Sequence, residues 1–183
     1  MDMSSNQNER KPLEIIGMTT YVMINGQRVP AKIDTGAYST SVWASDFEVE
    51  EDGTLSFKLF APESPLYTGE VIKTKEYSAT IVKSSNGQSQ VRYRTKIPIK
   101  IGKRTINVIA NLADRSHNRF PILIGRKTIS KRFLVDVSRF EAEPLNDNRH
   151  LTAKQIKTLN VDLAKNPLKF HQKHIKNSKR EGK

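Results

Sequence analysis

Cysteine is absent from the chain. That excludes a disulfide framework and a thiolate metal site. Aromatic residues are few, 7% of the total. In the basic C-terminal stretch they do not interleave with lysines and arginines, as stacking platforms for single-stranded nucleic acid would. No apolar run reaches the roughly 18 residues that a transmembrane helix needs. The polar start, MDMSSNQNERKP, has no apolar stretch of the signal-peptide kind. Cytoplasmic residence is the expectation, with no membrane involvement. Hydrophobic residues are only 36% of the 183, so part of the chain is expected to pack no core. Acid is the scarcer charge. Nineteen Asp and Glu face 31 Lys and Arg, for a formal net charge of +12. That balance favours an anionic partner such as an acidic protein, nucleic acid or a ribosome.

What is present is patterned for strands from Leu13 to Phe140. YVMINGQRVPAKID reads as two strands around Asn25-Gly26, the strongest short hairpin signal. YSATIVKSSNGQSQVRYRTKIPIKI repeats the pattern on a larger scale around a Ser/Asn/Gly tip. IPIKIGKRTINVIANL is a third hairpin, turning at Gly102-Lys103. Closely spaced strands with glycine-bearing turns predict a closed barrel or a sandwich. One short helix is expected from Gly125, in GRKTISKRF. After Phe140 the composition turns basic. Thr152 and Gln155 fit a capping box. Ile156, Leu159 and Leu163 make a narrow apolar stripe, which Pro167 interrupts. The expected organisation is a disordered lead over residues 1–12, a β domain over 13–140, and a basic, partly helical tail over 141–183.

Chemistry concentrates in VPAKIDTGAYSTSVWA, residues 29–44. Asp34 ends a strand, Thr35 follows, and Gly36 and Ala37 leave the backbone bare. A tight turn is one reading and an acid–base site is another. Other candidates are weaker. The acidic run Glu48, Glu50, Glu51 and Asp52 reads as a solvated loop. Asp114 and Asp136 read as partners in structural ion pairs. No H-E-x-x-H is present to hold zinc. His171 and His174 lack nearby carboxylate ligands, so no metal is expected. GRKT at 125–128 lacks the upstream glycine of an ATP-binding loop, and no cofactor is expected. The sequence also echoes itself. Counted equally from Gly26 and Gly102, Asp34 meets Ala110, so the second half has the hairpin scaffold without the acid.

The D-T-G-A loop at 34–37, followed by Ile122, Leu123, Ile124, Gly125 and Arg126, resembles the two halves of a retropepsin. More closely, the chain resembles a bacterial retropepsin-like aspartic protease family that carries the legacy name "ATP-dependent zinc protease". That group combines D-T-G-A, a Ser/Gly flap hairpin followed by Arg92-Tyr93, an R-F-P-x-L-[IL]-G-R segment matched at 119–126, and L-V-D at 134–136. The likeness spans residues 13–140. The chain departs from the group's usual Arg and His at Tyr38 and Trp43. The resemblance implies a mainly β, closed acid-protease barrel with a flap hairpin. It also implies a functional link to ATP-grasp glutamate ligases, with acidic, glutamate-rich protein tails as substrate.

Hydrolysis by carboxyl groups needs two of them sharing one proton, because like charges a few ångströms apart do not both ionise cheaply. One activates water and the other protonates the carbonyl. This chain carries one D-T-G, so a homodimer would bring two copies of Asp34 face to face. Asp34, Thr35 and Gly36 are then the expected catalytic loop, with Thr35 bonding the partner loop and Gly36 allowing close approach. Ala37, the flap residues Ser84, Ser85, Asn86 and Gly87, and Arg92 are the expected substrate contacts. Arg126 is read either as a helix entry or as the partner of an interface carboxylate. A non-catalytic basic module that binds ribosomes, RNA or acidic proteins stands as the alternative.

Overall fold

A computed structural model describes residues 12–83, 89–146, 153–169 and 172. The expected flap residues Ser84, Ser85, Asn86 and Gly87, the histidines His171 and His174, and Thr152 of the capping box lie outside them. Among the described residues, ten strands and two helices follow in chain order. They are β1 (Glu14–Ile24), β2 (Gln27–Asp34), β3 (Thr40–Val49), β4 (Leu55–Leu59), β5 (Val71–Thr74), β6 (Tyr77–Lys83), β7 (Ser89–Ile101), β8 (Arg104–Ala113), β9 (Ile122–Gly125), α1 (Arg126–Ile129), β10 (Phe133–Phe140) and α2 (Ala153–Lys165).

The first hairpin forms as its turn residues dictate. Asn25 and Gly26 have φ of 47° and 75°, the pair of positive values that a two-residue turn between twisted strands requires. Ile24 then pairs with Gln27. The third hairpin closes at Gly102-Lys103 with Ile101 opposite Arg104.

The strand order β1-β2-β9-β3-β8-β7, closed by β1 pairing with β7, is the expected closed barrel. Its pairings repeat across an internal twofold. Strand β2 runs parallel to β9, and β3 runs parallel to β8. Strands β3 and β9 meet antiparallel at the centre, and β1 and β7 meet antiparallel at the seam. Asp34 is opposite Gly125, while Ala110 is opposite Thr40. The echo read from the sequence, Asp34 with Ala110, is therefore an equivalence of register. One interior layer shows how the barrel fills. Ala31, Ile122, Val42 and Leu112 are neighbours through successive strands, and each is at most 1% exposed. Burying a side chain of the valine, leucine or isoleucine kind contributes roughly 1.5–3 kcal/mol.

Outside the barrel, β3 continues past a bulge between Ser45 and Glu48 to pair with β4, which pairs with β5. The acidic run is split as a result. Glu48 lies on β3, and Glu50 and Asp52 lie on the turn beyond it. Lys73 pairs with Glu50 at 2.6 Å and Lys75 with Asp52 at 3.0 Å, both largely exposed. Pairs of this kind add little to stability. Helix α1 is shorter than GRKTISKRF, because Ser130 leaves helical geometry and Lys131 turns left-handed at φ 62°. Among the described residues, no helix is long and apolar enough to cross a membrane.

The chain divides into two compact units, Met1–Val82 with Val91–Asn146, and Lys83–Gln90 with Asp147–Lys183. In the second, α2 ends at Lys165, two residues before Pro167, whose ring disfavours helix in the residue ahead of it. The first unit reaches to Asn146 through specific bonds. Ala142 N donates to Thr19 Oγ1 at 3.1 Å, and Leu145 N donates to Arg119 O at 2.9 Å. Asn146 Nδ2 donates to Ser116 O at 2.9 Å. A chain ending at Asn146 is expected to keep the barrel's thermal midpoint within a few degrees of the full-length value. Ending it at Glu143 removes the Leu145 and Asn146 bonds, at about 1 kcal/mol each, and should lower the midpoint measurably. Calorimetry of the three proteins checks both statements.

Candidate active site

Strand β2 delivers Asp34 to the end of the barrel, half-buried, where the next residues leave the sheet. The backbone then folds back on the carboxylate. Gly36 N donates to Asp34 Oδ1 at 3.0 Å and Ala37 N at 3.1 Å. Two backbone donors on one oxygen fix the direction of the carboxylate. Thr35 and Gly36 are exposed, and Ala37 is half-buried. Thr35 Oγ1 makes no hydrogen bond to the described residues of its own chain.

The loop is held from the far half of the sequence. Arg126 N donates to Ala37 O at 2.8 Å and Lys127 N to Tyr38 O at 3.1 Å. Arg126 Nη1 reaches Gly36 O at 3.3 Å. Beneath them, the Thr40 and Thr128 hydroxyls meet at 2.9 Å, fully buried, and Gly125 N donates to Thr40 Oγ1 at 3.2 Å. Gly125 is the point of closest approach. A Cβ there would lie 2.5 Å from the backbone C and O of Ser39. A Cβ on Gly36 would meet only Asp34 Oδ1, at 3.3 Å. At this site, within one chain, the glycine that lets backbone pass backbone is Gly125 rather than Gly36. Arg126 is a helix entry that also ties the Asp34 loop to α1.

The site is cationic beyond the loop. Arg115 follows β8 and is half-buried, its Nε donating to Phe120 O at 3.2 Å. Burial pushes its guanidinium down to about 10. Repulsion from Arg92 adds to the drop, and the negative charge of Asp34 opposes it. Arg115 thus acts within the fields of both the loop carboxylate and Arg92, and remains charged at neutral pH. Arg92 stands among the expected residues. Arg115 was not anticipated, although a signal existed: the Asp34–Ala110 echo sends whatever follows β8 to the same end of the barrel as Asp34.

The other acids have local roles. Asp114 is held below the ordinary carboxylate range by the Ser116 backbone N–H, at 2.8 Å. Asp136 is lowered by the Ser138 hydroxyl, at 2.6 Å, and by its N–H, at 3.0 Å. Each bonds the serine two residues on, Asp114 in the loop after β8 and Asp136 within β10, where the sequence suggested ion pairs. Among the described residues, no three histidine or carboxylate side chains gather as metal ligands do.

Comparison with known proteins bears on this geometry. Residues 15–144 match the model of a family described as RimB-like, retropepsin-like aspartic endopeptidase RimB. A protein of Shewanella pealeana named "Probable alpha-L-glutamate ligase" is 29% identical over 130 residues, 68% of this chain and 28% of that protein. A protein of the same name from Desulfotalea psychrophila is 25% identical over 111 residues, 59% of this chain and 24% of that protein. The chain thus spans about a quarter of the length of these curated relatives. A Legionella pneumophila protein of unknown function, solved by structural genomics, superposes with a TM-score of 0.56 at 25% identity. That match covers 70% of this chain and 97% of the other.

Two substitutions test the scaffold of the loop. Gly125→Ala drives a methyl into the Ser39 backbone and should cost about 3 kcal/mol, at the upper end for overpacking. Thr128→Val removes one hydroxyl of the buried pair but leaves Thr40 Oγ1 its bond from Gly125 N, and should cost about 1 kcal/mol. Denaturant midpoints rank the two. Equal stability of Gly125→Ala and the parent would contradict the close approach.

Proposed function

The chain belongs to the RimB-like family of retropepsin-like aspartic endopeptidases, and from that premise we propose that it hydrolyses peptide bonds with Asp34 as its catalytic carboxylate. The observation that carries the reading is the Asp34 loop itself. A half-buried carboxylate has one oxygen held by two backbone N–H groups and stands beside exposed Thr35 and Gly36. One oxygen is fixed, and the other is left for water and for a second carboxyl.

That second carboxyl is the Asp34 of another copy. The equivalent position in the chain's own second half is Ala110, which is buried and has no acid to offer. Asp114 and Asp136 are each engaged by the serine two residues on. A twofold dimer supplies the missing group, and the Thr35 hydroxyl bonds across the axis to the partner loop. The two carboxyls share a proton. The ionised one takes a proton from the attacking water while the protonated one donates to the scissile carbonyl, giving a gem-diol. As the C–N bond breaks, the first passes its proton to the leaving amine and the second takes one back from a diol hydroxyl. The pair, not either residue, sets the pH dependence.

The substrate is acidic. Arg115 lies in the fields of Asp34 and Arg92, and the chain carries a formal charge of +12. Curated relatives named for glutamate ligation make a chemical counterpart, a reaction that forms glutamyl bonds which this enzyme would cut. Both reactions belong in the cytoplasm. The net charge also favours a second reading, a non-catalytic module that binds ribosomes, RNA or acidic proteins. Asp34 separates the two readings, because only a hydrolase needs it.

Asp34→Asn keeps the loop's shape and cannot ionise. It should lower peptidase activity by about 10²–10⁴-fold, the range for general acid–base catalysis, with the dimer intact by sedimentation. Mixed with excess mutant under conditions of subunit exchange, wild-type activity should fall well below simple dilution. A fall only in proportion to the wild-type fraction would exclude a shared pair.

Substrate choice has its own check. At low ionic strength, glutamate-rich peptides should be cleaved at least about tenfold faster than lysine-rich ones, with the difference shrinking as salt shortens the Debye length from about 10 Å at 0.1 M. Equal rates for both peptides at low salt would remove acidic preference while leaving the hydrolase.

A further inference from the structure

Beside the Asp34 loop, α1 and the turn after it frame a concave pocket of about 550 Å³. Its lining includes Tyr38, Arg126, Lys127, Ile129, Lys131 and Arg132, and no carboxylate. A pocket of this volume is in the size range of ligand sites. None of its four cations forms an ion pair with the described residues.

The cations are arranged rather than merely frequent. Arg126 Nη1 donates to Gly36 O, and its guanidinium carbon lies 5.6 Å from the centre of the Tyr38 ring. Arg132 Nη1 is shared among the carbonyls of Lys127, Thr128 and Ser130, at 3.4, 3.4 and 3.2 Å. Carbonyl acceptors orient both groups without neutralising them. Lys131 sits where a helix usually ends on glycine, in left-handed backbone at φ 62°. A side chain there carries a conformational cost that glycine would avoid. Tyr38, 58% exposed, supplies an uncovered aromatic wall.

The charge must be matched from outside. Asp46, Glu50, Asp52, Glu76, Glu14 and Glu141 already pair with Lys58, Lys73, Lys75, Lys96, Arg104 and Arg139. A second copy of the chain carries the same net charge of +12, which opposes its docking on a cationic pocket. The geometry also favours a peptide over another polyanion. Arg132 leads directly into β10, an end strand that pairs with β1 alone among the described residues. Its second edge suits an extended main chain, which can add as a strand. A nucleic acid gains nothing from such an edge, and the pocket offers it one ring to stack on.

We propose that this pocket is a docking site for an extended acidic peptide segment, with its carboxylates among Arg126, Lys127, Lys131 and Arg132 and its backbone along β10. Docking here does not require hydrolysis. It shares with the proposed function only the acidic chemistry of the ligand.

The test uses full-length protein carrying Asp34→Asn, so that cleavage does not intervene, and the fluorescence anisotropy of a fluorescein-labelled hexaglutamate at low salt. Saturable binding is expected. Lys127→Ala with Lys131→Gly should weaken it at least about tenfold while keeping the thermal midpoint, since glycine relieves the left-handed backbone. Lys100→Ala with Lys103→Ala removes the same charge at the β7–β8 hairpin and should change affinity less than about twofold. Absence of saturable binding, or equal losses in the two double variants, overturns the proposal. So does a labelled hexathymidylate that binds as tightly and loses as much in the pocket variant, because the site would then be a general polyanion patch. A changed oligomeric state of the pocket variant in sedimentation would make the pocket an interface between copies and would also overturn it.

Discussion

Everything at the candidate site depends on one pairing, the parallel contact of β2 with β9 that sets Asp34 opposite Gly125. Backbone meets backbone there at a separation that admits no Cβ. Because Gly125 lies so close to Ser39, its N–H reaches Thr40 Oγ1, and the next two N–H groups reach the carbonyls of Ala37 and Tyr38. The loop is thereby held open-side outward, and its own Gly36 and Ala37 amides are left to grip Asp34. A residue larger than glycine at position 125 would spread the strands and loosen each of these bonds together.

The internal twofold explains why the barrel presents a single acid. The two halves share their hairpins, their parallel pairings and their interior layers. They differ at the position that matters chemically, where the first half has Asp34 and the second has buried Ala110. After Asp34 the chain leaves the sheet in a tight loop, whereas β8 continues as strand to Ala113. A carboxylate in place of Ala110 would face an apolar interior beside Thr40, at a desolvation cost of several kcal/mol. The fold tolerates the acid only at the end where backbone amides and solvent can satisfy it.

Positive charge is distributed to match. Lys73, Lys75 and Lys96 pair with nearby acids, in exposed contacts that contribute little to stability. The cations at the Asp34 end of β8 and around α1 are held by backbone carbonyls. Arg115 illustrates the cost. Burial depresses its guanidinium, and Arg92 depresses it further, so the site holds like charges at close quarters with Asp34 as the compensating group. Such an arrangement is favourable for an anionic ligand and has little value as packing.

What the sequence determined by itself was local. Asn25-Gly26 and Gly102-Lys103 specify their turns because backbone φ is decided within two residues, and alternating apolar residues specify strands because the side-chain period is two. The D-T-G-A and I-L-I-G-R segments carried the family likeness, and equal counting from the two glycines carried the Asp34–Ala110 equivalence. Long-range geometry was decided by the tertiary structure. No local pattern states that Gly125 must pass Ser39, that Thr128 reaches Thr40, or that Arg115 is drawn toward Asp34, because each depends on which strands become neighbours across about 80 or more residues of chain. Asp114 and Asp136 show the same limit. The sequence suggested ion pairs for them, and only the folded chain shows that the serines two residues on bond the two carboxylates. Parallel pairing is the physical reason. It joins segments with no turn between them, so its register is set by the packing of the whole barrel.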